Sequence, residues 1–390
     1  MCAMNGVMAD RLRNMPPYLF ARIDEMKAEA LSRGVDVIDL GVGDPDVPPP
    51  EKVVRRLAEA VRERGSHHYS SYSGIAKLRE AFAGWFENRF AVTLDPDREV
   101  LPLIGSKEGI GHIYFALVNP GEEILIPDPG YPVYTAGATL VGAAARYFPL
   151  REDQGFRPDM EILEKQVTAK TRLLWLNYPS NPTTALAGLE DYEKVVHLAR
   201  AGGFVVCHDA AYSEIVFDGR KSPSILQVPG GKEAAVEFHS LSKTFCMPGW
   251  RVGFAVGNRD VIAALAKVKT NLDSGIFLPI QEAAVTALRE CGEDTEKIRA
   301  VFEARRNRFV SALGAAGWHV PAPPATFYVW MRVPEGSSSM GFASRVLKEC
   351  GIVCTPGVGF GSNGEGFIRM SLTLPEERLD QAIDRLVRLR

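Results

Sequence analysis

The feature that most constrains the fold of this chain is a repeated alternation that begins near residue 100, in which short apolar runs are followed by longer amphipathic segments. Such runs, bounded by turn residues, predict buried strands, and the amphipathic segments predict helices that cover the sheet. Predicted strands cover residues 100–104, 123–127, 172–176, 204–207, 235–238 and 252–256, and helices between them include 108–118 and 189–201. The pattern predicts an α/β fold whose large domain has a mostly parallel sheet flanked by helices.

A second region follows this alternation. Residues 295–316 form an amphipathic segment that predicts a long helix, and the runs after it predict strand, helix, strand, strand and helix over 327–332, 342–349, 351–354, 367–372 and 376–389. That order predicts a smaller α+β domain, and 390 residues suit two domains. We expect an N-terminal arm and part of the small domain in 1–45, the large domain in 46–290 and the small C-terminal domain in 291–390.

Composition excludes several classes of protein. The net charge is -3 and no long run of Lys or Arg occurs, so the chain lacks the electrostatic footprint of a nucleic-acid or anionic-membrane binder. No apolar stretch reaches membrane-spanning length, and the first twenty residues lack the apolar core of a signal peptide, which predicts a cytoplasmic protein. The six cysteines show no C-x-x-C pair and no metal-ligand spacing to histidine, so we predict reduced thiols and no metal.

Five polar, turn-rich clusters directly follow predicted strands. They cover residues 105–107, 128–131, 177–182, 208–212 and 239–243. Each is weak evidence alone, because Asn-Pro and Pro-Gly are common turn signals and a single Asp at a strand end often caps a helix. Ligands of open parallel sheets bind beyond the carboxyl ends of the strands. The five clusters together therefore predict one site at one edge of the sheet.

Two glycine motifs invite a nucleotide interpretation. Gly105-Ser106-Lys107 stands between a strand and a helix, where free N–H groups favour a phosphate, but the order Gly-Ser-Lys does not match a P-loop. Residues 359–364 satisfy G-x-G-x-x-G by letter, yet they lead into the predicted strand 367–372 instead of opening a helix. We therefore predict a phosphate contact at the first motif and a glycine-rich turn at the second.

The most specific signal surrounds Lys243. It lies in Ser240-Leu241-Ser242-Lys243, and Arg251 follows eight residues later in G-W-R-V-G. A lysine among hydroxyls near an arginine suits a phosphorylated aldehyde, because the amine can form an imine while Ser240, Ser242 and Arg251 hold the phosphate. The alternative is a surface lysine beside a structural arginine, which the four other polar strand ends disfavour.

With these motifs the sequence resembles the class I/II aminotransferases of the fold-type I pyridoxal phosphate family over nearly its whole length. The resemblance implies that Lys243 carries pyridoxal 5'-phosphate and that Arg251 binds the cofactor's phosphate. Ser106 and Lys107 match the family's phosphate-loop positions. Tyr69 is similar to the tyrosine that reaches the phosphate of the neighbouring subunit, which implies a homodimer with shared active sites. Net charge and hydropathy, not this resemblance, predict no nucleic-acid or membrane partner.

The same resemblance assigns residues to the cofactor ring. Asn181 and Tyr212 match the residues that hydrogen-bond the ring hydroxyl, Tyr131 the aromatic residue stacked on the ring, and Asp209 the partner of the pyridine nitrogen. An ionised Asp209 keeps that nitrogen protonated, and the freed Lys243 can then carry the proton between the substrate carbon and the cofactor carbon.

Two further interpretations concern the neighbours of these residues. The structural alternative for Asp209 is the N-cap of a helix over 210–217. His208 and His239 have no metal-like spacing and are interpreted as packing or supporting residues.

Within the family, the sequence is most similar to bacterial LL-diaminopimelate aminotransferases, which exchange an amino group between glutamate and the tetrahydrodipicolinate/LL-diaminopimelate pair on the route to lysine. The motifs that carry this likeness lie in residues 18–20, 40–46, 105–110, 271–277 and 355–361. The likeness implies that small amino and oxo acids are the substrates. It implies that Arg369 pairs with the substrate α-carboxylate and that the other substrate contacts are Tyr18, Gly43, Lys107, Tyr131 and Asn181.

Other functions remain open at this point. The sequence departs from the family pattern at Thr184, where glycine is usual, and in residues 245–248. Alanine- or aspartate-type aminotransferases share most of the motifs, and a carbon-sulfur lyase on the same scaffold would keep Lys243, Asp209 and Arg251. A transcriptional regulator built on this scaffold would need an added DNA-binding domain, for which the segment before Tyr18 leaves no room.

Overall fold

The computed structural model describes residues 7–13, 15 and 19–389. Within them the strands are β1 (Ile38–Asp39), β2 (Val100–Leu103), β3 (Glu123–Asp128), β4 (Ala144–Pro149), β5 (Thr171–Asn177), β6 (Val205–Asp209), β7 (Ala235–Ser240), β8 (Gly253–Gly257), β9 (Tyr328–Arg332), β10 (Ile352–Val353), β11 (Thr355–Pro356) and β12 (Phe367–Ser371).

The helices of the same residues are α1 (Asp10–Arg13), α2 (Leu19–Ser32), α3 (Glu51–Ala60), α4 (Ala76–Phe90), α5 (Ser106–Leu117), α6 (Val133–Val141), α7 (Met160–Gln166), α8 (Leu189–Gly202), α9 (Gly231–Ala234), α10 (Leu241–Thr244), α11 (Arg259–Leu272), α12 (Leu278–Glu290), α13 (Gly292–Ala315), α14 (Ser339–Cys350) and α15 (Glu376–Leu386). None of these helices combines the length and apolar composition that a bilayer crossing requires.

Seven strands form the central sheet in the order β2-β8-β7-β6-β5-β3-β4. The five strands from β7 to β4 run parallel, and β8 runs antiparallel to both of its neighbours. This confirms the predicted α/β fold with a mostly parallel sheet. The carboxyl ends of β3, β5, β6 and β7 therefore open at one edge, and the polar clusters that follow them meet there.

Both faces of the sheet are buried, as the continuous apolar character of its central strands requires. In β5, Leu174 and Leu176 belong to a core that includes residues of α4, α8 and α12. Leu173 and Trp175 point to the opposite core, which includes residues of α5, α6 and α11.

Strand β4 was not among the predicted strands. It forms the outer edge of the sheet beside β3, and within Ala144–Pro149 only Phe148 is buried. An edge strand of this kind lacks the apolar run that identified its buried neighbours.

The C-terminal part of the chain forms a smaller unit. An antiparallel sheet of order β11-β12-β9 packs with α13, α14 and α15 around a separate apolar core. The strand predicted over 351–354 is present as the shorter β10, which pairs with β1 in parallel, whereas β11, which follows it and pairs with β12, was not predicted. The other predicted elements of this region are present, so the predicted α+β character is confirmed.

Residues 357–360 and 362–364 form two short 3-10 turns that lead into β12. The interpretation of this glycine-rich segment as a turn is therefore confirmed. The five cysteines within the described residues, Cys207, Cys246, Cys291, Cys350 and Cys354, are buried free thiols, as predicted, and Cys2 lies outside those residues.

Candidate active site

A cavity of about 410 Å³ lies at the edge of the sheet where the polar strand ends meet, between the large sheet and the smaller unit. Its lining contains these residues that the sequence predicted: Gly43, Ser106, Lys107, Tyr131, Asn181, Asp209, Tyr212, Ser240, Ser242, Lys243, Arg251 and Arg369. Tyr18 falls outside the described residues. Tyr69 does not line the cavity, and its side chain is 96% exposed.

One end of the cavity is built to hold an anion. Helix α5 begins at Ser106, directly after Gly105, whose φ is +73°. A methyl group on Gly105 would lie 2.1 Å from Nη2 of Arg251, so glycine is required for the guanidinium to approach the helix start. Ser240 and Ser242 line the same cavity, and Ser240 Oγ accepts a hydrogen bond from Ser242 N at 3.3 Å. Free helix N–H groups, a guanidinium and hydroxyls are the donors that bind phosphate.

The backbone that presents Arg251 is unusual. Cys246 and Arg251 both have left-handed conformations, with φ of +52° and +56°. Cys246 and Met247 are buried, and Arg251 Nη1 donates to the carbonyl of Pro248 at 2.9 Å. The family departure in residues 245–248 therefore lies in a packed turn that leads into the phosphate end of the cavity.

Lys243 lies in α10, at the base of the cavity. Its Nζ donates to the carbonyl oxygen of Gly43 at 3.0 Å, and burial lowers its pKa. Gly43 cannot carry a side chain, because a methyl group there would overlap the hydroxyl of Tyr328. The Tyr328 hydroxyl also lies 2.9 Å from the hydroxyl of Tyr212. No sequence motif singled out Tyr328, which lines the cavity.

Asp209 ends β6 and is buried. Its Oδ2 accepts a hydrogen bond from the hydroxyl of Tyr134 at 2.9 Å, and its Oδ1 accepts one from Ala211 N at 3.3 Å. Burial raises the pKa of Asp209, so an adjacent cation would be needed to favour its charged form. The helix-cap alternative is wrong, because residues 210–217 form turns and a single bridge residue and contain no helix.

The side-chain amide of Asn177, the last residue of β5, fixes the segment that follows the strand. Asn177 donates through Nδ2 to the carbonyl of Asp209 at 2.8 Å and accepts at Oδ1 from Asn181 N at 2.8 Å. Thr184 adopts a left-handed conformation with φ of +64° while its N–H bonds Ser180 O at 2.9 Å. This conformation explains why glycine suits the position, and Thr184 itself does not line the cavity.

Arg369 is presented by β12 and is 4% exposed. Its guanidinium carbon lies 4.1 Å from the centre of the Tyr328 ring and 4.7 Å from that of Phe360. Nη1 donates to Asn181 Oδ1 at 2.6 Å, and Nη2 donates to the Gly41 carbonyl at 2.8 Å. Nε has no hydrogen-bond partner among the described residues.

His208 and His239 do not line the cavity, and they pack against Tyr192 and Phe254 of the core that includes α4, α8 and α12. Each bonds one oxygen of Glu237, His208 through Nδ1 at 2.8 Å and His239 through Nε2 at 2.6 Å. Glu237 also accepts from Ser224 Oγ and Ile225 N, both at 3.0 Å. The interpretation of both histidines as packing or supporting residues agrees with these contacts.

Comparisons with known proteins agree with this geometry. The family model "Aminotransferase class I and II" matches residues 35–386. Among curated proteins, the LL-diaminopimelate aminotransferase of Aquifex aeolicus is 49% identical over 98% of this chain and 99% of its own length. That of Moorella thermoacetica is 47% identical, with 98% of each chain covered.

Solved structures give the same result. The substrate-bound BacF of Bacillus subtilis matches with a TM-score of 0.94 at 34% identity, covering 98% of this chain and 97% of that one. A probable N-succinyldiaminopimelate aminotransferase of Thermus thermophilus matches with a TM-score of 0.89 at 37% identity, covering 95% and 99%. This chain therefore belongs to the class I and II aminotransferases, the enzymes that transfer amino groups with pyridoxal 5'-phosphate as cofactor.

Proposed function

We propose that the protein transfers an amino group between glutamate and the tetrahydrodipicolinate/LL-diaminopimelate pair, and so serves lysine biosynthesis. The observation that carries this proposal is the set of LL-diaminopimelate aminotransferases that are 46–49% identical over 97–99% of the chain. The cavity supports it with a half-buried lysine, a cluster of phosphate-binding donors and a buried arginine that could hold a carboxylate.

The phosphate of the cofactor would bind at the start of α5. Ser106 and Lys107 offer the helix N-terminus and an ammonium group, and Ser240, Ser242 and Arg251 close the other side. The close approach of Arg251 to Gly105 supports this assignment, because it places a guanidinium directly beside free helix N–H groups. Lys243 would hold the aldehyde carbon of the cofactor at the base of the cavity.

When bound, the cofactor supplies a protonated pyridine ring that withdraws electrons from the substrate's α-carbon. Asp209 would face the ring nitrogen, and Tyr134 keeps its carboxylate oriented. The burial that raises the pKa of Asp209 supports this role, since a carboxylate in such a place gains most from a cation beside it. Tyr131 would cover the ring face, and Tyr212 would donate to the ring hydroxyl together with Asn181.

Lys243 would also move the proton. Burial lowers the pKa of its amine, so the neutral form that can accept a proton at Nζ is favoured. The carbonyl of Gly43 lies 3.0 Å from Nζ and would orient it toward the substrate side of the cavity. Arg369 would grip the substrate α-carboxylate, and Tyr18, Gly43, Lys107, Tyr131 and Asn181 would complete the substrate contacts.

We infer that the active unit is a homodimer. Aromatic and aliphatic side chains are exposed on two segments joined by a hydrogen bond from Ser70 Oγ to the Ile276 carbonyl at 2.7 Å. The exposed fractions are 96% for Tyr69, 45% for Tyr72, 61% for Leu272 and 43% for Phe277. A second copy that covered this surface would bury it, and Tyr69 would then reach the phosphate bound in the partner.

Two further proposals concern the domain boundaries and the cellular location. We propose that residues 1–45 and 291–390 form the arm and small domain and that 46–290 form the large domain, which the pairing of β1 with β10 supports. We propose a cytoplasmic location, which the free buried thiols of the described cysteines support because unpaired thiols are typical of reducing compartments.

The deciding experiment offers the purified enzyme a panel of amino donors with 2-oxoglutarate and measures glutamate formation. We expect LL-diaminopimelate to give the highest kcat/KM, above meso-diaminopimelate, N-succinyl-LL-diaminopimelate, alanine and aspartate. A preference for alanine or aspartate would contradict the substrate assignment while leaving the aminotransferase chemistry intact. Release of pyruvate and ammonia from cystathionine, without amino transfer to 2-oxoglutarate, would identify a carbon-sulfur lyase instead.

A further inference from the structure

One buried carboxylate at the end of β3 binds the glycine-rich turn of the small unit, residues 357–364. Asp128, the last residue of β3, is 4% exposed. It accepts three hydrogen bonds from this turn, from Ser362 Oγ at 2.7 Å, Asn363 N at 3.0 Å and Asn363 Nδ2 at 2.9 Å. A methyl group on Gly361, whose φ is +129°, would lie 2.0 Å from Asp128 Oδ1, so this contact requires glycine there.

A backbone hydrogen bond fixes Phe360, the residue before Gly361. Gly130 N, two residues beyond Asp128, donates to the carbonyl of Phe360 at 2.8 Å. The backbone of Phe360 is therefore held against the strand end from one side while Asp128 holds the residues that follow it. The Phe360 ring is buried and lies edge-on to Trp330, with the ring centres 6.0 Å apart.

The ring that this turn carries is one of the two that enclose the guanidinium of Arg369. The guanidinium carbon of Arg369 lies 4.7 Å from the centre of the Phe360 ring and 4.1 Å from that of the Tyr328 ring. Within the described residues Asp128 makes no hydrogen bond or ion pair with Arg369, and the turn that carries Phe360 is the contact that connects the two.

We propose that Asp128 is a positioning residue for substrate recognition, which holds the glycine-rich turn so that Phe360 keeps the Arg369 guanidinium aligned for a carboxylate. This inference rests on the proposed role of Arg369. A guanidinium binds a carboxylate best through two parallel N–H groups, and that geometry is lost when the planar group can tilt. Two rings restrict that tilt before substrate arrives, so less ordering is needed on binding.

Asp128→Asn tests this role because the amide offers one acceptor oxygen where the carboxylate offers two. We expect the KM values for glutamate and LL-diaminopimelate to rise by about tenfold, while kcat falls less than the ratio kcat/KM. The affinity for pyridoxal 5'-phosphate and the absorption spectrum of the loaded enzyme should not change. Gly361→Ala disturbs the contact of the turn with Asp128, and Phe360→Leu removes the ring beside Arg369. Both variants should also raise KM.

The matched control is Asp218→Asn, which weakens a different contact between a turn and a buried arginine. Asp218 bonds Arg306 at 2.9 and 2.7 Å, and neither residue lines the cavity. This variant should lose thermal stability and keep both KM values. If Asp128→Asn behaves in the same way as this control, the carboxylate is merely structural and the inference is wrong.

A double-mutant cycle with Arg369→Lys separates this inference from the function it rests on. Asp128→Asn should raise KM in the wild type and add nothing in the Arg369→Lys background, since it acts through the guanidinium. An additive rise in both backgrounds contradicts the inference. If Arg369→Lys raises KM but Asp128→Asn does not, only the role of Asp128 fails; if Arg369→Lys leaves KM unchanged, the role of Arg369 in substrate binding fails with it.

Discussion

Lys243, which is half-buried, and Asp209, which is buried, are ionisable residues whose pKa values move in opposite directions. Burial lowers the pKa of the Lys243 amine and raises that of the Asp209 carboxyl, so burial favours the neutral form of each. A bound pyridinium ring would restore the charge of Asp209 by direct pairing. Lys243 has no anionic partner at hydrogen-bond distance among the described residues and donates instead to the carbonyl of Gly43, which leaves its amine ready to take up a proton.

At this scale the first prediction concerns Lys243. Borohydride reduction of the yellow, cofactor-loaded enzyme should attach the cofactor at Lys243, and peptide mapping will locate the adduct. Lys243→Ala should lose several powers of ten in turnover, each worth about 1.4 kcal/mol of activation free energy. An adduct mapped to another lysine would refute the assignment.

Asp209→Asn keeps the shape of the side chain and removes its charge. Turnover should fall far more than cofactor affinity, because the lost interaction stabilises charge that develops in the transition state, whereas the phosphate contacts remain. Stopped-flow half-reactions and equilibrium cofactor titration measure the two effects separately. Near-normal turnover would contradict the role of Asp209 at the ring nitrogen.

At the scale of elements, β6 and β7 are joined behind the cavity by Glu237. Burial opposes its charge, yet the hydrogen bonds from His208 and His239 lower the pKa of Glu237 below its usual range. The two histidines precede Asp209 and Ser240 along their strands, so the cluster fixes the strand ends that carry site residues. A depressed carboxyl pKa contributes stability that is present above the unfolded pKa of about 4.3 and is lost as the pH falls.

Glu237→Gln should therefore destabilise the protein at neutral pH, by about 3 kcal/mol, because it breaks a buried network. The difference in Tm between wild type and variant should be largest above about pH 5 and should shrink below about pH 4, where the wild type loses this contribution. Differential scanning calorimetry at both pH values measures it. Glu190→Gln, which loses only an exposed pair with Lys194, is the control and should leave Tm unchanged.

The elements also indicate how far sequence alone can reach. The strands that end at Asp209 or just before Asn181 and Lys243 could be predicted, because buried parallel strands are continuous apolar runs with polar ends. Edge strand β4 and the short strand β11 could not, since exposure and partner choice depend on tertiary packing. Tyr328 was missed for the same reason, because only the folded small unit brings it to the cavity. Tyr134 carried one usable signal, an aromatic residue three positions after Tyr131 at the start of α6.

At the scale of the whole molecule, the surface around Tyr69 is the part that a single chain leaves unexplained. In one chain Tyr69 contacts solvent, although the family resemblance gives it a phosphate partner. The proposed homodimer would reconcile these two facts, because Tyr69 would then act on a second copy and each active site would draw on two chains.

Mixing two inactive variants tests this arrangement. In a hybrid dimer of Lys243→Ala and Tyr69→Ala, one site carries both lesions and the other carries neither. Refolding an equal mixture should therefore restore activity at about a quarter of all sites, whereas each variant alone stays nearly inactive. No recovery in hybrids verified by mass would show that Tyr69 does not serve the partner's site. Sedimentation should give the mass of a dimer for both variants.

The pairing of β1 with β10 also bears on the order in which the protein forms during synthesis. Residues 38–39 can pair only after residues 352–353 have been synthesised and have left the ribosome, so this strand pairing forms late in translation. The central sheet has all of its strands within residues 100–257 and can fold earlier on the emerging chain. Contacts between such distant residues form slowly because a long loop must close first. We therefore expect Arg369 on β12, the proposed contact for the substrate carboxylate, to join the cavity after the sheet has formed, so that a nascent chain buries its sheet well before it can bind an amino acid.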